Sequence, residues 1–356
     1  VGAAAPVIRV EGFGKRYGKR VAAQDISLEV ARGEIYGLIG PDGAGKSSLM
    51  KAIAGVLSFE TGSIDVLGTR IDSEAAAERI KDRLGFMPQG LGLHLYPELS
   101  VEENIDFFAR LREVSERDLA ARKQKLLAMT RLAEFRDRPM KNLSGGMKQK
   151  LGLVCTLIHE PELIVLDEPT TGVDPVSRRD FWSILAALLR ERGTTALVST
   201  AYMDEASRFH RVSLFYGGRV VASGEPDEIQ ALAPGSEIRV RVGAQAAALA
   251  RLQEQFAQVE ALGPWLRVFV PQSGREAAAE AVRAALAGMP IEELVPNNPD
   301  LEDVFIALLR ERALAGSAPD LPRLGEASVA PGSANHGVAI EARNLTRDFG
   351  KFRAVD

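Results

Sequence analysis

The sequence predicts an α/β fold around an apolar central sheet, and three observations predict it. Ile35-Tyr36-Gly37-Leu38-Ile39 is a strand-like run that leads into a glycine-rich loop, Gly40 to Ser48, and then into a helical pattern from Leu49 to Ala54. Leu163-Ile164-Val165-Leu166 is so uniformly apolar that both of its faces must be covered, as in a parallel sheet. It ends in Asp167-Glu168, two acids at the carboxyl end of a strand, where α/β sheets bind ligands.

The loop reads Gly40-Pro41-Asp42-Gly43-Ala44-Gly45-Lys46-Ser47-Ser48, a glycine, four residues, then Gly-Lys-Ser. Its position between a strand and a helix is what a phosphate-binding loop requires. The glycines let backbone N–H groups turn toward phosphate oxygens, and the helix start adds a favourable field for an anion. Lys46 supplies a mobile positive charge for the β- and γ-phosphates, and Ser47 a hydroxyl for Mg²⁺. Asp167 suits the same cation, directly or through water. Glu168 suits a water poised against a γ-phosphate.

Composition bounds the alternatives. The 356 residues suffice for two or more domains, and 46% of them are hydrophobic. A net charge of −4 gives no global basic footprint, so no nucleic acid is expected as a partner. The single cysteine, Cys155, sits in an apolar run, forbids an internal disulfide and fits a reducing compartment. No apolar run reaches the ~18 residues of a membrane span. Val1 to Ala5 read as a tail, lacking the charged start of a signal peptide.

The chain then divides as follows. Ile8-Arg9-Val10 and Ile26 to Val30 alternate as strands. Tyr17, before the turn between them, is either a half-buried strand residue or a ring that stacks on a base, and packing alone favours the former. Thr61 to Val66 is an edge strand, and a polar helix is expected over 73–83. Leu84 to Met87 reads as a buried strand followed by an exposed amide, Gln89. Residues 90–143 are largely helical, with a capping box at Ser100-Val101-Glu102-Glu103. Leu143-Ser144-Gly145-Gly146 opens another helix, Ser144 as its cap, with uncovered N–H groups that make a second anion-binding start. Asp174-Pro175 starts a helix to residue 191, and a strand over 194–199 leads to Thr200-Ala201-Tyr202. Trp182 and Trp265 are expected to pack, and His94 to face solvent in a loop.

Residues 236–312 change style and suggest a small α+β module of split βαβ type, closing with a helix at Leu301-Glu302-Asp303-Val304-Phe305. Residues 313–337, rich in Ala, Gly, Ser and Pro, read as a linker. Beyond it the stretch Ile340 to Lys351 mirrors Ile8 to Lys19, with Tyr17 matched by Phe349 and Gly18 by Gly350. That is an internal repeat at the period of one domain. Residues 338–356 are therefore expected to begin a second domain that continues in the natural protein.

The phosphate loop, Gln89, Ser144-Gly145-Gly146, Asp167-Glu168 and Asp174, in that order, resemble the ATP-binding domain of ABC transporters. The resemblance covers residues 7–235, and the Ser-Gly-Gly signature is its discriminating part. The Leu-Glu-Asp-Val-Phe ending resembles drug-export ATPases, and the repeat resembles the fused double-ATPase subunits of bacterial ABC-2 type exporters. The implied fold is a phosphate-loop NTPase of ABC type: a mixed-sheet core, an antiparallel β subdomain and a helical signature subdomain. The implied cofactors are ATP and Mg²⁺. Gly40, Pro41, Asp42, Gly43, Ala44, Gly45, Lys46, Ser47 and Ser48 would cradle the phosphates, and Tyr17 would stack on adenine. Ser47, Gln89 and Asp167 would serve the metal. Gln89 would also sense the γ-phosphate and couple to the membrane subunit. Glu168 would polarise the attacking water, assisted by Lys46 and Gln89. Ser144, Gly145 and Gly146 would contact the nucleotide of the opposite domain, and Asp174 would line the interface.

The implied partners are ABC-2 type transmembrane permease subunits, docking near Gln89 and residues 90–135, and the second ABC domain of the same natural chain. Alone, the chain would be a monomer or an ATP-bridged homodimer. The implied location is peripheral, on the cytoplasmic face of the bacterial inner membrane. One position departs: the family has a histidine where Ala201 stands. Alanine cannot hydrogen-bond a γ-phosphate, so this site is expected either to bind ATP well and hydrolyse it slowly or to rely on Glu168 alone. A ribosome-associated tandem ABC ATPase is the runner-up function.

Overall fold

The computed structural model describes residues 5–90, 94–232 and 235–314, with the strands Arg347–Phe349 and Phe352–Val355. The chain forms two units, one through residue 319 and one from 320 onward.

In the first unit, β1 (Ile8–Tyr17) and β2 (Arg20–Val30) make a long hairpin. The apolar run is β3 (Ile35–Ile39), and the loop opens α1 (Lys46–Ile53). Two short strands, β4 (Thr61–Val66) and β5 (Thr69–Arg70), return beside β1, so that an antiparallel sheet runs β2-β1-β4-β5. The single helix expected over 73–83 is shorter. Ser73 caps α2 (Glu74–Glu78), and a 3-10 turn at Lys81–Arg83 follows, because fully buried Ile80 turns the chain inward between them.

The central sheet is built from β6 (Leu84–Met87), β7 (Leu163–Leu166), β8 (Thr195–Thr200), β9 (Arg211–Tyr216) and β10 (Arg219–Gly224), together with β3. Its order is β10-β9-β3-β8-β7-β6, and every neighbouring pair is parallel except β9 with β10. The sheet separates two cores. Along β7, Ile164 and Leu166 face one, and Leu163 and Val165 face the other. This is why the run shows no polar alternation.

Between β6 and β7 lie α3 (Val101–Leu111), α4 (Glu116–Thr130) and α5 (Gly145–Leu157). Ser100 and Glu103 form the expected capping box. Cys155 is buried, and burial pushes its thiol pKa up. After β7, α6 (Pro175–Arg192) leads to β8.

After α7 (Pro226–Ala231) comes a separate sheet with its own core: β11 (Gly235–Val242), α8 (Gln245–Gln253), β12 (Gln258–Leu262), β13 (Trp265–Pro271), α9 (Arg275–Ala285) and β14 (Ile291–Asn297). The order β12-β13-β11-β14, all antiparallel, is the βαββαβ form of the split βαβ arrangement. The final helix, α10 (Leu301–Leu314), leaves this module. Its Leu301, Val304, Phe305 and Leu309 pack in the core that Ile164 and Leu166 of β7 face, with Phe305 against Tyr216. Its start is tethered by Arg267, which bonds Glu237, Asp300 and Asp303 at 2.8, 2.6 and 2.7 Å.

The second unit contains β15 (Arg347–Phe349) and β16 (Phe352–Val355), an antiparallel hairpin. It pairs Phe349 with Phe352, Asp348 with Arg353 and Arg347 with Val355. The first hairpin pairs Tyr17 with Arg20, Arg16 with Val21 and Lys15 with Ala23. The two registers coincide, irregularity included, under the alignment of the sequence repeat. The expected linker, from residue 315, and the repeat up to residue 346 lie outside the described residues.

Candidate active site

The phosphate loop closes against the sheet because its glycines admit backbone on both sides. A Cβ at Gly40 would meet the Phe215 carbonyl oxygen at 2.2 Å. Gly45 takes φ 101° with the Ala22 carbonyl oxygen 2.4 Å from where a Cβ would stand. Lys46 then points back under the loop. Its Nζ donates to the carbonyls of Gly40 at 2.6 Å and Pro41 at 3.1 Å, and lies 3.3 Å from Glu168 Oε1.

Beyond β7, Glu168 adopts φ 49°, a left-handed conformation rare for a side chain of its size. This aims its carboxylate at the loop. Gln89 Nε2 donates to Glu168 Oε2 at 2.8 Å, and Thr171 Oγ1 donates to the same oxygen at 3.2 Å. Asp167 is held from two sides, its Oδ1 accepting from Ser47 Oγ at 3.1 Å and from Ser199 Oγ at 2.7 Å. Ser199 also accepts from the Glu168 backbone N–H at 2.8 Å. One hydroxyl at the end of β8 therefore fixes both acids.

A cleft of about 500 Å³ opens over this array, lined by Tyr17, Arg20, Ala22, Asp42 to Ser48, Gln89 and Glu168. Tyr17, at the end of β1, is half-exposed and its OH lies 3.3 Å from Ser48 Oγ. Gly40, Pro41 and Asp167 do not line the cleft but hold Lys46 and Ser47, which do. The structure thus brings together Tyr17, the loop, Gln89, Asp167 and Glu168. The donor set fits a divalent cation: Ser47 and Asp167 adjoin one another, and the second Asp167 oxygen, Oδ2, is buried without a partner.

Ser144, Gly145, Gly146 and Asp174 do not line this cleft. Ser144 caps α5, accepting from the Met147 N–H at 3.3 Å. Asp174 caps α6 through the Ser177 N–H at 2.9 Å, a bond that holds its carboxyl below the usual pKa. The two helix starts abut, since a Cβ at Gly146 would stand 2.5 Å from Ser177 Cβ.

One position differs from the sequence reading. His94 does not face solvent: it folds over Gly152 of α5, both ring nitrogens are buried, and burial lowers its pKa. Trp182 packs as expected but also donates its indole N–H to Glu205 at 2.8 Å. Ser199, Thr171, Arg20 and Glu205 were not foreseen. A polar residue directly after the apolar run Ala196-Leu197-Val198, as Ser199 is, is the available signal.

The comparisons with known proteins agree with this geometry. The family model described as ABC transporter matches residues 23–171. The daunorubicin resistance ATP-binding protein DrrA3 of Streptomyces coeruleorubidus is 36% identical over 307 residues, covering 85% of this chain and 95% of that one. The chain belongs to the ABC transporter ATP-binding family. This ABC ATPase is also 36% identical over 364 residues to the probable multidrug ABC transporter ATP-binding protein YbhF of Escherichia coli K12; the match covers 98% of this chain but only 59% of that protein's length. Among solved structures, cbiO1 from Clostridium perfringens, part of the ABC transporter complex cbiONQ, aligns with TM-score 0.59 at 27% identity. That match covers 64% of this ABC ATPase and 92% of cbiO1. The fold is therefore the ABC form of a phosphate-loop NTPase, and among the described residues no helix is long and apolar enough to cross a membrane.

Proposed function

We propose that this ABC ATPase is the first ATP-binding and hydrolysing domain of a two-domain subunit that powers an ABC-2 type exporter of drug-like small molecules. The observation that carries it is the buried Lys46–Glu168 pair beneath the loop, with Gln89 bonded to the acid from the exposed side. On ATP binding, Lys46 exchanges its Glu168 partner for phosphate oxygens. Glu168 is then released to orient a water and accept its proton as the water oxygen bonds the γ-phosphorus and the bond to the bridging oxygen breaks, with ADP as the leaving group. Tyr17 stacks on adenine. Ser47, Asp167 and the Gln89 amide oxygen are the groups that would hold Mg²⁺, which when bound offsets phosphate charge.

Ser144, Gly145 and Gly146 sit outside the cleft, which supports their serving a nucleotide held by an opposing domain, with Asp174 at the shared interface. The matching registers of the two hairpins support a second ABC domain in the same protein as that partner. Exposed Tyr96, Phe107 and Leu111 around α3 support a docking face for permease subunits at the inner membrane. The names of YbhF and DrrA3 support drug efflux as the task. Ala201 leaves no imidazole at the γ-phosphate end, so turnover here is slow.

The test is nucleotide binding and phosphate release, measured on this chain and on the full-length protein. Tight ATP binding by the chain, with release that rises when the second domain is present, is the expected result. Failure of the chain to bind ATP overturns the proposal.

A further inference from the structure

Glu205 lies in the 3-10 turn Met203–Arg208, which begins two residues beyond Ala201. It is 1% exposed, yet it touches neither the cleft nor the loop. One of its oxygens, Oε1, accepts from Thr170 Oγ1 at 3.1 Å and from Trp182 Nε1 at 2.8 Å. The other, Oε2, is buried without a partner. A core built for stability alone has no use for a half-satisfied buried carboxylate, since an apolar residue of similar volume serves at least as well.

The position of its partners gives the carboxylate a use. Thr170 is 2% exposed and stands two residues after Glu168, in the turn that begins with that residue's left-handed backbone. The same turn continues through a Val173 N–H to Thr170 carbonyl bond toward Asp174. Trp182 lies on α6, the helix that Asp174 caps. The end of β8 and the turn after it therefore grip the acid-bearing segment at two points. Ser199 holds Asp167 and the Glu168 N–H in front, and Glu205 holds Thr170 behind, with Ala201 between them.

We propose that Glu205 is a positioning residue for hydrolysis: by fixing Thr170 it sets the turn that aims Glu168 and presents Asp174, and it ties both to the turn after β8. The inference rests on the hydrolytic role of Glu168. Because Oε1 alone accepts both donors, a glutamine retains the function and an alanine does not. The Trp182 indole, sharing that oxygen with Thr170, reports on the link. Arg208 over its ring at 5.5 Å and Phe209 edge-on at 5.5 Å complete its surroundings.

The test uses Thr170→Val, Glu205→Gln, Glu205→Ala and the double variant Thr170→Val/Glu205→Ala. Phosphate release is measured on the full-length protein, and Trp182 emission on this chain carrying Trp265→Phe, which leaves one of its two tryptophans. Thr170→Val is expected to lower kcat about tenfold with KM for ATP within about twofold, as for an interaction made only in the transition state. Its resting emission stays as in the parent, while the change on adding ATP is lost. Glu205→Ala lowers kcat at least as far, the double variant falls no further than Glu205→Ala, and Glu205→Gln recovers most of the rate. Thr170→Val with parental kcat and a parental ATP-induced change overturns the proposal, as do losses in the two single variants that multiply in the double. If the unsubstituted protein binds ATP but releases no phosphate, the hydrolytic reading itself fails, and the role of Glu205 with it; that result is visible before any substitution is made.

Discussion

Lys46 Nζ and Glu168 Oε1 stand 3.3 Å apart, and both side chains are more than nine-tenths buried. A buried charge left without its partner is costly, whereas removing both charges is not. Lys46→Met is therefore expected to destabilise the nucleotide-free protein by about 3 kcal/mol in urea unfolding at neutral pH. Lys46→Met/Glu168→Gln is expected to recover most of that loss while still failing to bind ATP. Parental stability in Lys46→Met would show that the pair does not form.

Ala201 follows directly on Thr200, whose carbonyl accepts the Gly40 N–H at 3.2 Å. Position 201 therefore adjoins the start of the phosphate loop. Introducing an imidazole there supplies the hydrogen bond that alanine lacks. Ala201→His is predicted to raise steady-state phosphate release by the full-length protein about tenfold, roughly the value of one well-placed hydrogen bond in the transition state. An unchanged or lower rate would count against the slow-site assignment.

Gly146 has no room for a side chain, since its Cβ would lie 2.5 Å from both Cβ and Oγ of Ser177. Gly146→Ala should cost about 1–3 kcal/mol as overpacking and push on the first turn of α6, where Asp174 is the cap. Denaturant unfolding and ATP-driven association measured together test this. Adding Ser177→Gly, which removes the obstructing atoms, should restore both. Failure of that rescue would place the strain elsewhere.

His159 should make stability fall with acid. Its Nε2 contacts the Leu84 carbonyl at 3.2 Å, and its pKa is held at about 4, chiefly by burial and then by the Arg112 charge, against an opposing pull from that carbonyl and Asp82, with Arg122 adding least. Below its ordinary value of 6.5 the unfolded chain takes up a proton that the folded chain refuses. The contribution is thus complete above about pH 6.5 and is lost as pH falls from there toward 4. Urea midpoints at pH 7.5 and 5 should differ less in His159→Asn than in the parent. Equal pH dependence in the two proteins contradicts this.

What the sequence made legible was chemistry carried by contiguous residues. The phosphate loop, Ser144 as a cap and the acid pair after β7 each declare themselves within a few positions. What it hid was chemistry assembled across the fold. Ser199 lies 32 residues from Asp167, and Glu205 lies 35 from Thr170. Neither belongs to a motif of adjacent residues that ties it to the acids. His94 was misread because the shallow face of Gly152 that accepts its ring exists only once α5 is packed. The strand β12 carries little signal of its own, because Gln258–Leu262 is a short edge strand with an exposed end. Helix α10 reads as part of the module that precedes it, yet its apolar face is completed by Tyr216 and the core that Ile164 and Leu166 face.

The central claim is that Glu168 performs hydrolysis at a site otherwise built to bind ATP. Glu168→Gln conserves the side chain's size and leaves an oxygen to accept from Gln89, but removes the carboxylate that takes the water's proton. Single-turnover hydrolysis at this site, measured alongside ATP occupancy, tests the claim most directly. The account predicts that ATP stays bound in a stabilised two-domain sandwich while hydrolysis falls at least about a hundredfold. Hydrolysis at the parental rate with ATP bound would contradict it.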